Sequence, residues 1–268
     1  MSLDNPLLII VISAVVSAFI VYLFMLVARN KDAQVSHERD DYIAMLVHDI
    51  RSPLTVIRGS ADLLLHENKN LTNDDVNKLL KQIEDTSDAL LSMVSDILDV
   101  SKMESGKFEI NKVSSDLNLL LKMISDRYLV VANQSNIKLV TNLDSTLPKV
   151  NFDPDKIERV VNNLISNSLK FTPEGGQITI TSVVDKSSAK ISVSDTGIGV
   201  DDVMKTKLFN KFVQGGKTLK SANSNSTGLG LKVSKEIVEL HGGKIWIEDN
   251  APKGASFIFS LPLDLPSF

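Results

Sequence analysis

The 268-residue chain contains no cysteine, one tryptophan and only 5% aromatic residues, and its basic residues do not outnumber its acidic ones. Without cysteine, the chain can form no disulfide, no thiolate nucleophile and no cysteine-ligated metal site. The net charge of −4, from 29 basic and 33 acidic residues, gives no electrostatic argument for nucleic acid as a partner. The G-x4-G-K-[ST] loop of P-loop ATPases is also missing. The composition, with 43% hydrophobic and 23% charged residues, is globular, and the length suggests about two domains.

A long uncharged segment occupies residues 7–27. About 20 apolar residues cross a bilayer as a helix, so this segment predicts one transmembrane helix. A cleaved signal peptide is one alternative, but signal peptides begin with basic residues, and Asp4 is the only charged side chain before this segment. A buried soluble helix is the other alternative, and it would show a polar face that this segment lacks.

Basic residues follow this segment and none precedes it. Arg29, Lys31 and Arg39 place the C-terminal side in the cytoplasm by the positive-inside rule. We therefore expect a single-pass protein of the inner (plasma) membrane. Its anchor lies in residues 1–28, a short linker occupies residues 29–34, and the following domains are cytoplasmic.

Residues 35–106 have the pattern of two helices joined by the polar loop 67–71. The second helix begins after the capping residues 72–75 and ends near Gly106, which can serve as a C-cap. Its seam alternates spacings of three and four: Leu80, Ile83, Ser87, Leu90, Val94, Ile97 and Ser101. Because a lone helical hairpin buries too little surface, we expect two copies to form a four-helix bundle, and hence a homodimer.

The first helix contains the sequence V-H-D-I-R-S-P-L-T at residues 47–55. A helix histidine is more often a surface or packed residue than a nucleophile. However, imidazole titrates near neutrality, so an unprotonated nitrogen of His48 is available to attack a phosphoryl group. Asp49 could hold the proton on the other ring nitrogen, although adjacent helix side chains point about 100° apart. Pro53 should bend the helix and expose the imidazole, or alternatively it simply ends the helix.

Residues from about Ser115 to Leu263 alternate helical and strand patterns, which predicts a two-layer α/β sandwich. Helices are predicted over residues 116–133, 155–170 and 233–241. Strands are predicted near residues 138–142, 177–184, 190–194, 244–248 and 256–261.

This second region contains three short motifs. Asn163, Asn167 and Lys170 fall at i, i+4 and i+7 on one helix stripe, which a solvated polar face would also explain. The sequence D-T-G-I-G at 195–199 follows a strand; its carboxylate can accept the amine of adenine, although a surface turn is equally compatible. The sequence G-L-G-L at 228–231 precedes a helix whose N–H groups could bind phosphate, and by itself it is a weak signal.

In this order, the histidine motif and the three later motifs make the chain similar to the sensor histidine kinases of two-component signalling, from about Ser36 to Leu263. The resemblance implies that residues 35–106 are the dimerisation and histidine phosphotransfer (HisKA) domain. It also implies that residues 107–268 form a catalytic ATP-binding domain of the Bergerat (GHKL) fold, in which residues 201–227 contain the ATP lid.

Residue roles follow from this resemblance. It implies that His48 is the phosphoacceptor assisted by Asp49, that Asn167 binds Mg²⁺ through its amide oxygen, that Lys170 contacts phosphate and that Asp195 binds adenine. The remaining residues implied to bind the nucleotide are Asn163, Gly197, Gly199, Gly228 and Gly230. Ser52 stands where the family has Thr or Asn, a position that helps to place water for dephosphorylating the partner.

The chain departs from the family pattern at two places. Asn210 stands where the family has Glu, within residues 208–212. The sequence K-G-A-S-F at 253–257 resembles the last glycine box but lacks its usual first glycine, so a ligand role for Ser256 is not supported.

The implied function is autophosphorylation of His48 from Mg²⁺·ATP and transfer of the phosphoryl group to an aspartate of a response regulator, with dephosphorylation of the regulator as a further activity. One alternative is a non-kinase GHKL ATPase, although such proteins lack the helical hairpin. The other is a degenerate kinase that acts as an ATP-binding scaffold, in which we would expect His48, Asn167 or Asp195 to be replaced.

Overall fold

The computed structural model describes residues 36–66, 71–210 and 228–263, and only the backbone of residues 36–46 and 48. The predicted membrane span at 7–27 therefore lies outside the described residues, as do the linker and most of the predicted lid. Within the described ranges, no helix has the length and hydropathy needed to cross a membrane. The chain divides into two compact units, Met1–Ser87 and Asp88–Phe268.

The first unit contains helix α1 (Ser36–His66) and the beginning of helix α2 (Asn73–Glu104), which confirms the two predicted helices. A capping box starts α2. Thr72 Oγ1 accepts the Asp75 N–H at 3.2 Å, and the Asp75 carboxylate accepts the Thr72 N–H at 3.1 Å. The Thr72 hydroxyl also donates to this carboxylate at 2.6 Å, and this bond, together with that from the Thr72 N–H, lowers the pKa of Asp75. The buried Ser60 donates to Gln82 Oε1 at 3.2 Å, which joins the two helices.

Pro53 lies inside α1 and is buried. The helix continues beyond it to His66, so the alternative that Pro53 simply ends the helix is wrong. Thr55 Oγ1 donates to the Arg51 carbonyl at 2.9 Å, one turn earlier, on the same part of the helix. The bend at Pro53 stays a prediction.

The strands described in the second unit are β1 Val113–Ser115, β2 Lys138–Leu143, β3 Val150–Phe152, β4 Gln177–Asp185, β5 Ser188–Asp195, β6 Lys244–Asp249 and β7 Ala255–Pro262. Five of them form a mixed sheet with the order β2-β4-β5-β7-β6. Strands β2 and β4 pair in parallel, and the other neighbouring strands of this sheet pair antiparallel. A separate antiparallel ladder joins β1 and β3. The helices are α3 Leu117–Gln134, α4 Pro154–Phe171, α5 Asp202–Lys205 and α6 Gly230–Leu240.

One face of this sheet is buried beneath the helices because its strands alternate apolar and polar residues. The fully buried positions of β4 and β5 are Ile178, Ile180, Ala189, Ile191 and Val193. Their chain neighbours on the opposite face are partly exposed polar residues, namely Gln177, Thr179, Thr181, Ser188, Lys190, Ser192 and Ser194. Helix α4 buries five apolar residues that recur at the helical period: Ile157, Val160, Val161, Leu164 and Ile165. The predicted two-layer α/β sandwich is therefore confirmed.

Three short elements escaped the sequence analysis, namely β1, β3 and α5. Each has only three or four residues, which is too short to show a helical or strand period. The ladder between β1 and β3 pairs Val113 with Phe152, so it depends on a contact between distant parts of the chain.

Within the second unit, the last part of α2 is attached to α4 through Arg159. The Arg159 guanidinium donates to the carboxylates of Asp96 and Asp99. Burial raises the pKa of Asp96, although its hydrogen bond with Arg159 lowers it. Removing one partner of such a partly buried pair leaves uncompensated charge, which typically costs about 3–5 kcal/mol.

A buried histidine connects the end of α6 to the start of α4. His241 is 1% exposed, and its Nδ1 lies 2.7 Å from the Ile237 carbonyl oxygen. Because a carbonyl oxygen only accepts, Nδ1 carries the proton, and Nε2 accepts the Asp153 N–H at 3.0 Å. Asp153 is the N-cap of α4, and its side chain accepts the Lys156 N–H. The neutral imidazole therefore holds the residue that starts α4.

We expect this histidine to make the stability of the second unit depend on pH. Burial lowers the pKa of His241 below its ordinary value of 6.5, against an opposing effect of its bond with Ile237. At pH values between the lowered pKa of the folded chain and the ordinary pKa, His241 therefore binds a proton in the unfolded chain and not in the folded one. The free energy of unfolding should fall as the pH drops below about 6.5, by at most about 1.4 kcal/mol per pH unit from this group.

His241→Gln keeps an acceptor for Asp153 but cannot titrate in this range, so this part of the pH dependence should disappear. Urea unfolding at several pH values, followed by fluorescence of the single tryptophan Trp246, measures the difference. The same pH dependence in both proteins would contradict the assignment to His241.

Candidate functional site

The predicted nucleotide-binding residues lie in three places in the second unit. Asn163, Asn167 and Lys170 lie along α4, Asp195, Gly197 and Gly199 lie at and after the end of β5, and Gly228 and Gly230 lie at the start of α6. Helix α4 touches both other places. Its Ser168 donates to Asp195 Oδ2, and its Asn163 side chain contacts the backbone of Gly230. The structure therefore brings motifs from three distant parts of the sequence around one helix.

The carboxylate of Asp195 is buried, since the residue is only 3% exposed, and both of its oxygens accept hydrogen bonds. Oδ1 accepts the backbone N–H groups of Gly197 at 2.9 Å and Ala255 at 3.2 Å. Oδ2 accepts Ser168 Oγ at 3.4 Å, a long hydrogen bond that leaves this oxygen able to accept another donor. Burial raises the pKa of Asp195, while the bonds from Gly197 and Ala255 act in the opposite direction.

Two glycines allow the chain to pack closely around Asp195. A Cβ at Gly197 would lie 2.4 Å from the Phe171 carbonyl oxygen, and a Cβ at Gly254 would lie 1.9 Å from the Asp195 carbonyl oxygen. Gly254 also has a φ of +132°, which side chains rarely adopt. The end of β5 therefore lies directly between α4 and the turn before β7. Gly199 and Gly228 have positive φ values as well, of +76° and +65°.

A hydrogen-bonded chain of polar side chains runs from α6 to the middle of α4. Ser234 Oγ donates to the Gly230 carbonyl at 2.9 Å, and Asn163 Nδ2 donates to Ser234 Oγ at 2.9 Å. Asn167 Nδ2 lies 3.4 Å from Asn163 Oδ1. A Cβ at Gly230 would lie 2.4 Å from Asn163 Oδ1, so the absence of a side chain at Gly230 makes room for Asn163.

Lys170 follows on the same stripe of α4, toward its C-terminal end. Its Nζ lies 5.2 Å from the centre of the Phe171 ring. Partial burial lowers the pKa of Lys170. The residue is nevertheless exposed, so an anionic ligand could reach its ammonium group.

The predicted catalytic residues lie in the first unit, on α1. Asp49 is half-buried and Ser52 is exposed. His48 and Ser52 are four residues apart, so the helical backbone places them on the same face.

Sequence reasoning missed three residues that hydrogen-bond to the predicted site side chains without belonging to the motifs, namely Ser168, Ser234 and Ala255. The first two are 1% and 2% exposed and lie on the buried, apolar faces of α4 and α6. A polar residue within an apolar helix stripe is a usable signal for such a position, because a buried hydroxyl needs a partner. Ala255 contributes only its N–H, which no side-chain pattern reveals. Ser256 shares a 2.7 Å hydrogen bond with Ser194.

Two family models match the chain, the first over its helical region and the second over its α/β region. The His Kinase A (phospho-acceptor) domain matches residues 38–106, and the histidine kinase-, DNA gyrase B-, and HSP90-like ATPase matches residues 152–265. The chain belongs to the two-component sensor histidine kinases. This is a family of ATP-dependent protein-histidine kinases.

Individual members of the family are similar over most of this chain. The sensor histidine kinase WalK of Bacillus subtilis is 32% identical over 238 residues, which are 87% of this chain and 38% of WalK. The chain thus spans less than half the length of that relative. ShkA, solved in complex with AMPPNP, is 28% identical with a TM-score of 0.61, over 83% of this chain and 45% of ShkA. The histidine kinase ThkA, solved in complex with the response regulator protein TrrA, is 26% identical with a TM-score of 0.61, over 85% of this chain and 62% of ThkA.

We expect Asp195→Asn to weaken ATP binding by roughly tenfold or more. The amide would place an NH2 group either against the Gly197 and Ala255 N–H groups or where the ligand needs an acceptor, and an unsatisfied buried group costs about 1–3 kcal/mol. Calorimetric titration of the chain with ATP measures the affinity. Asp185→Asn, at the exposed end of β4, is the matched control and should bind as the unmodified protein does. Equal affinities of all three proteins would remove Asp195 from the site.

Proposed function

We propose that this chain is a membrane-bound sensor histidine kinase that transfers the γ-phosphoryl group of ATP to His48 and then to an aspartate of a response regulator. The observation that carries the proposal is the buried Asp195 carboxylate, held by backbone N–H groups with one oxygen still able to accept. It accompanies a histidine on a separate helical unit. A non-kinase ATPase, the alternative function, would not require a helical unit that carries such a histidine.

The nucleotide is bound by groups that match its base and its phosphates. Asp195 Oδ2 accepts the exocyclic amine of adenine, and the glycines at 197 and 199 allow the backbone to approach the base. The start of α6, with Gly228 and Gly230, presents N–H groups to phosphate oxygens. Lys170 offsets part of the phosphate charge. The AMPPNP complex of ShkA supports ATP as the nucleotide.

Mg²⁺ fits the α4 side of the site because Asn167 offers an amide oxygen, a ligand type that this hard cation accepts together with phosphates. When bound, the ion offsets the charge of the phosphates and orients them. Asn163 lies next to Asn167 and orients its amide through the 3.4 Å contact. In the described residues, no group of three or more His, Cys, Asp or Glu side chains could hold a metal ion.

Phosphoryl transfer forms an N–P bond at His48 and breaks the bond between the γ-phosphorus and the bridging oxygen of ADP. The attacking nitrogen is the unprotonated one of a neutral imidazole. Positive charge develops on the ring as the bond forms, and Asp49 accepts the proton of the other ring nitrogen or stabilises its charge. The phosphoryl group then passes to the carboxylate of the regulator. The ThkA–TrrA complex supports a response regulator as partner.

The proposal includes a homodimer and a membrane anchor. Exposed apolar side chains on the helices, such as Leu63, Leu65 and Leu80 at 41%, 42% and 52%, are available for a second copy to cover.

The proposed membrane anchor rests on the uncharged residues 7–27. The linker at 29–34, the phosphotransfer domain at 35–106 and the ATP-binding domain at 107–268 follow it. Recovery of the intact chain in the soluble fraction of lysed cells would remove the anchor from the proposal.

His48→Gln should abolish acid-labile labelling from γ-labelled ATP and leave ATP affinity nearly unchanged, because the nucleophile and the nucleotide site belong to different units. His66→Gln is the matched control, since it changes a histidine in the last turn of the same helix, and its labelling should persist. Autophosphorylation gels and calorimetry report the two quantities. Labelling of the His48 variant at the unmodified level would refute the assignment.

Ser52 is expected to help position water for dephosphorylating the regulator, since it lies one turn after His48 and is exposed. Its hydroxyl can donate and accept, but it lacks the methyl group that restricts threonine rotamers. Ser52→Thr should therefore accelerate regulator dephosphorylation, and Ser52→Ala should lose it while autophosphorylation survives. Thr55→Ala, which removes a hydroxyl committed to the Arg51 carbonyl, is the control. The assay is decay of phosphorylated regulator with ADP present; equal rates for Ser, Thr and Ala at position 52 exclude the role.

A further inference from the structure

Ser234 is a buried hydroxyl whose hydrogen-bonding directions are determined by its neighbours. It lies one turn after Gly230 in α6 and is 2% exposed. Its Oγ lies 2.9 Å from the Gly230 carbonyl oxygen, which can only accept. Because a hydroxyl has one hydrogen, Ser234 donates to Gly230 and keeps only lone pairs for its other partner.

That other partner is the side-chain amide of Asn163, 2.9 Å away. The oxygen and the NH2 group of an asparagine amide have nearly the same shape, so packing alone does not select which of them faces Ser234. A hydroxyl oxygen that offers only lone pairs selects the NH2 group. Asn163 Oδ1 therefore points away from Ser234.

The orientation of Asn163 in turn decides the orientation of Asn167. Asn163 Oδ1 lies 3.4 Å from Asn167 Nδ2, so Asn167 uses its NH2 group toward Asn163 and leaves its oxygen for the other side. If Asn163 were reversed, its NH2 group would face Asn167 and attract that residue's oxygen. Asn167 would then present an NH2 group, carrying partial positive charge, to a cation.

We propose that Ser234 is a positioning residue that orients the Asn163 amide and thereby makes Asn167 present its oxygen to the nucleotide-bound Mg²⁺. This inference rests on the proposed function, in which Asn167 is the metal ligand. Ser234 itself contacts neither nucleotide nor metal. Gly230 completes the arrangement, because a Cβ at this position would lie only 2.4 Å from Asn163 Oδ1, so its lack of a side chain leaves room for the amide in this orientation.

The expected size of the effect follows from other metal sites. Residues that orient a metal ligand typically change metal affinity by about 10–100-fold when they are mutated. Loss of the Ser234 hydroxyl leaves both orientations of Asn163 possible, so the oxygen of Asn167 faces the metal only part of the time. The nucleotide contacts that do not involve the metal are unaffected.

The test is calorimetric titration of the full-length chain with AMPPNP, once with excess Mg²⁺ and once with EDTA. The measured quantity is the gain in affinity that Mg²⁺ brings. Ser234→Ala should reduce this gain by about tenfold or more, with unchanged affinity in EDTA. Ser234→Thr should retain the gain, because a helix threonine can make the same bond to the carbonyl one turn earlier. Ser166→Ala is the matched control, since Ser166 donates to the Asn163 backbone carbonyl at 3.0 Å and not to its amide.

The Asn167→Ala variant tests the metal role of Asn167 separately from the positioning role of Ser234. If Asn167→Ala loses the Mg²⁺ gain and Ser234→Ala keeps it, the positioning role is overturned and the metal role of Asn167 stands. If Asn167→Ala keeps the gain, Asn167 is not the ligand and the proposed metal site fails with it. If Ser234→Ala loses affinity equally in Mg²⁺ and in EDTA, the hydroxyl has a general structural role and the positioning role is overturned.

Discussion

The buried carboxylate of Asp195 is the interaction on which the second unit's site depends. Its two oxygens gather donors from the turn after β5, from the start of β7 and from α4. A buried carboxylate without such donors would cost several kcal/mol, so the three elements must meet at this position for the fold to be stable. The bond from Ser168 to Oδ2 is long, at 3.4 Å, so this oxygen can still accept a further donor.

Helix α4 combines the structural and chemical parts of the site. One stripe of it is apolar except for Ser168 and packs on the sheet, while another stripe carries Asn163, Asn167 and Lys170. Its N-cap is held by the neutral imidazole of His241, and Arg159 binds the carboxylates of Asp96 and Asp99 near the end of α2. A rigid helix supported from several sides is a suitable carrier for ligands whose geometry must be accurate.

Much of the fold could be predicted from the sequence because the relevant signals are local. The apolar period of α4 and the alternation in β4 and β5 each extend over enough residues to be recognised. The elements that were missed, β1, β3 and α5, have too few residues for a period. The sequence likewise indicated Pro53 as either a bend or an end of α1, and the structure excludes the end because packing and hydrogen bonds on both sides continue the helix.

The sequence by itself determined the order of the domains, the histidine motif and the polar stripe of α4, because these are patterns along one chain segment. Tertiary structure alone decided which groups meet. Asn163 and Ser234 are 71 residues apart, and Asp195 and Ala255 are 60 apart, so no local pattern links them. Gly230 and Gly254 were recognisable as glycines of two motifs. That their missing side chains make room for Asn163 and for the Asp195 carbonyl follows only from the packing of α4, α6 and the sheet.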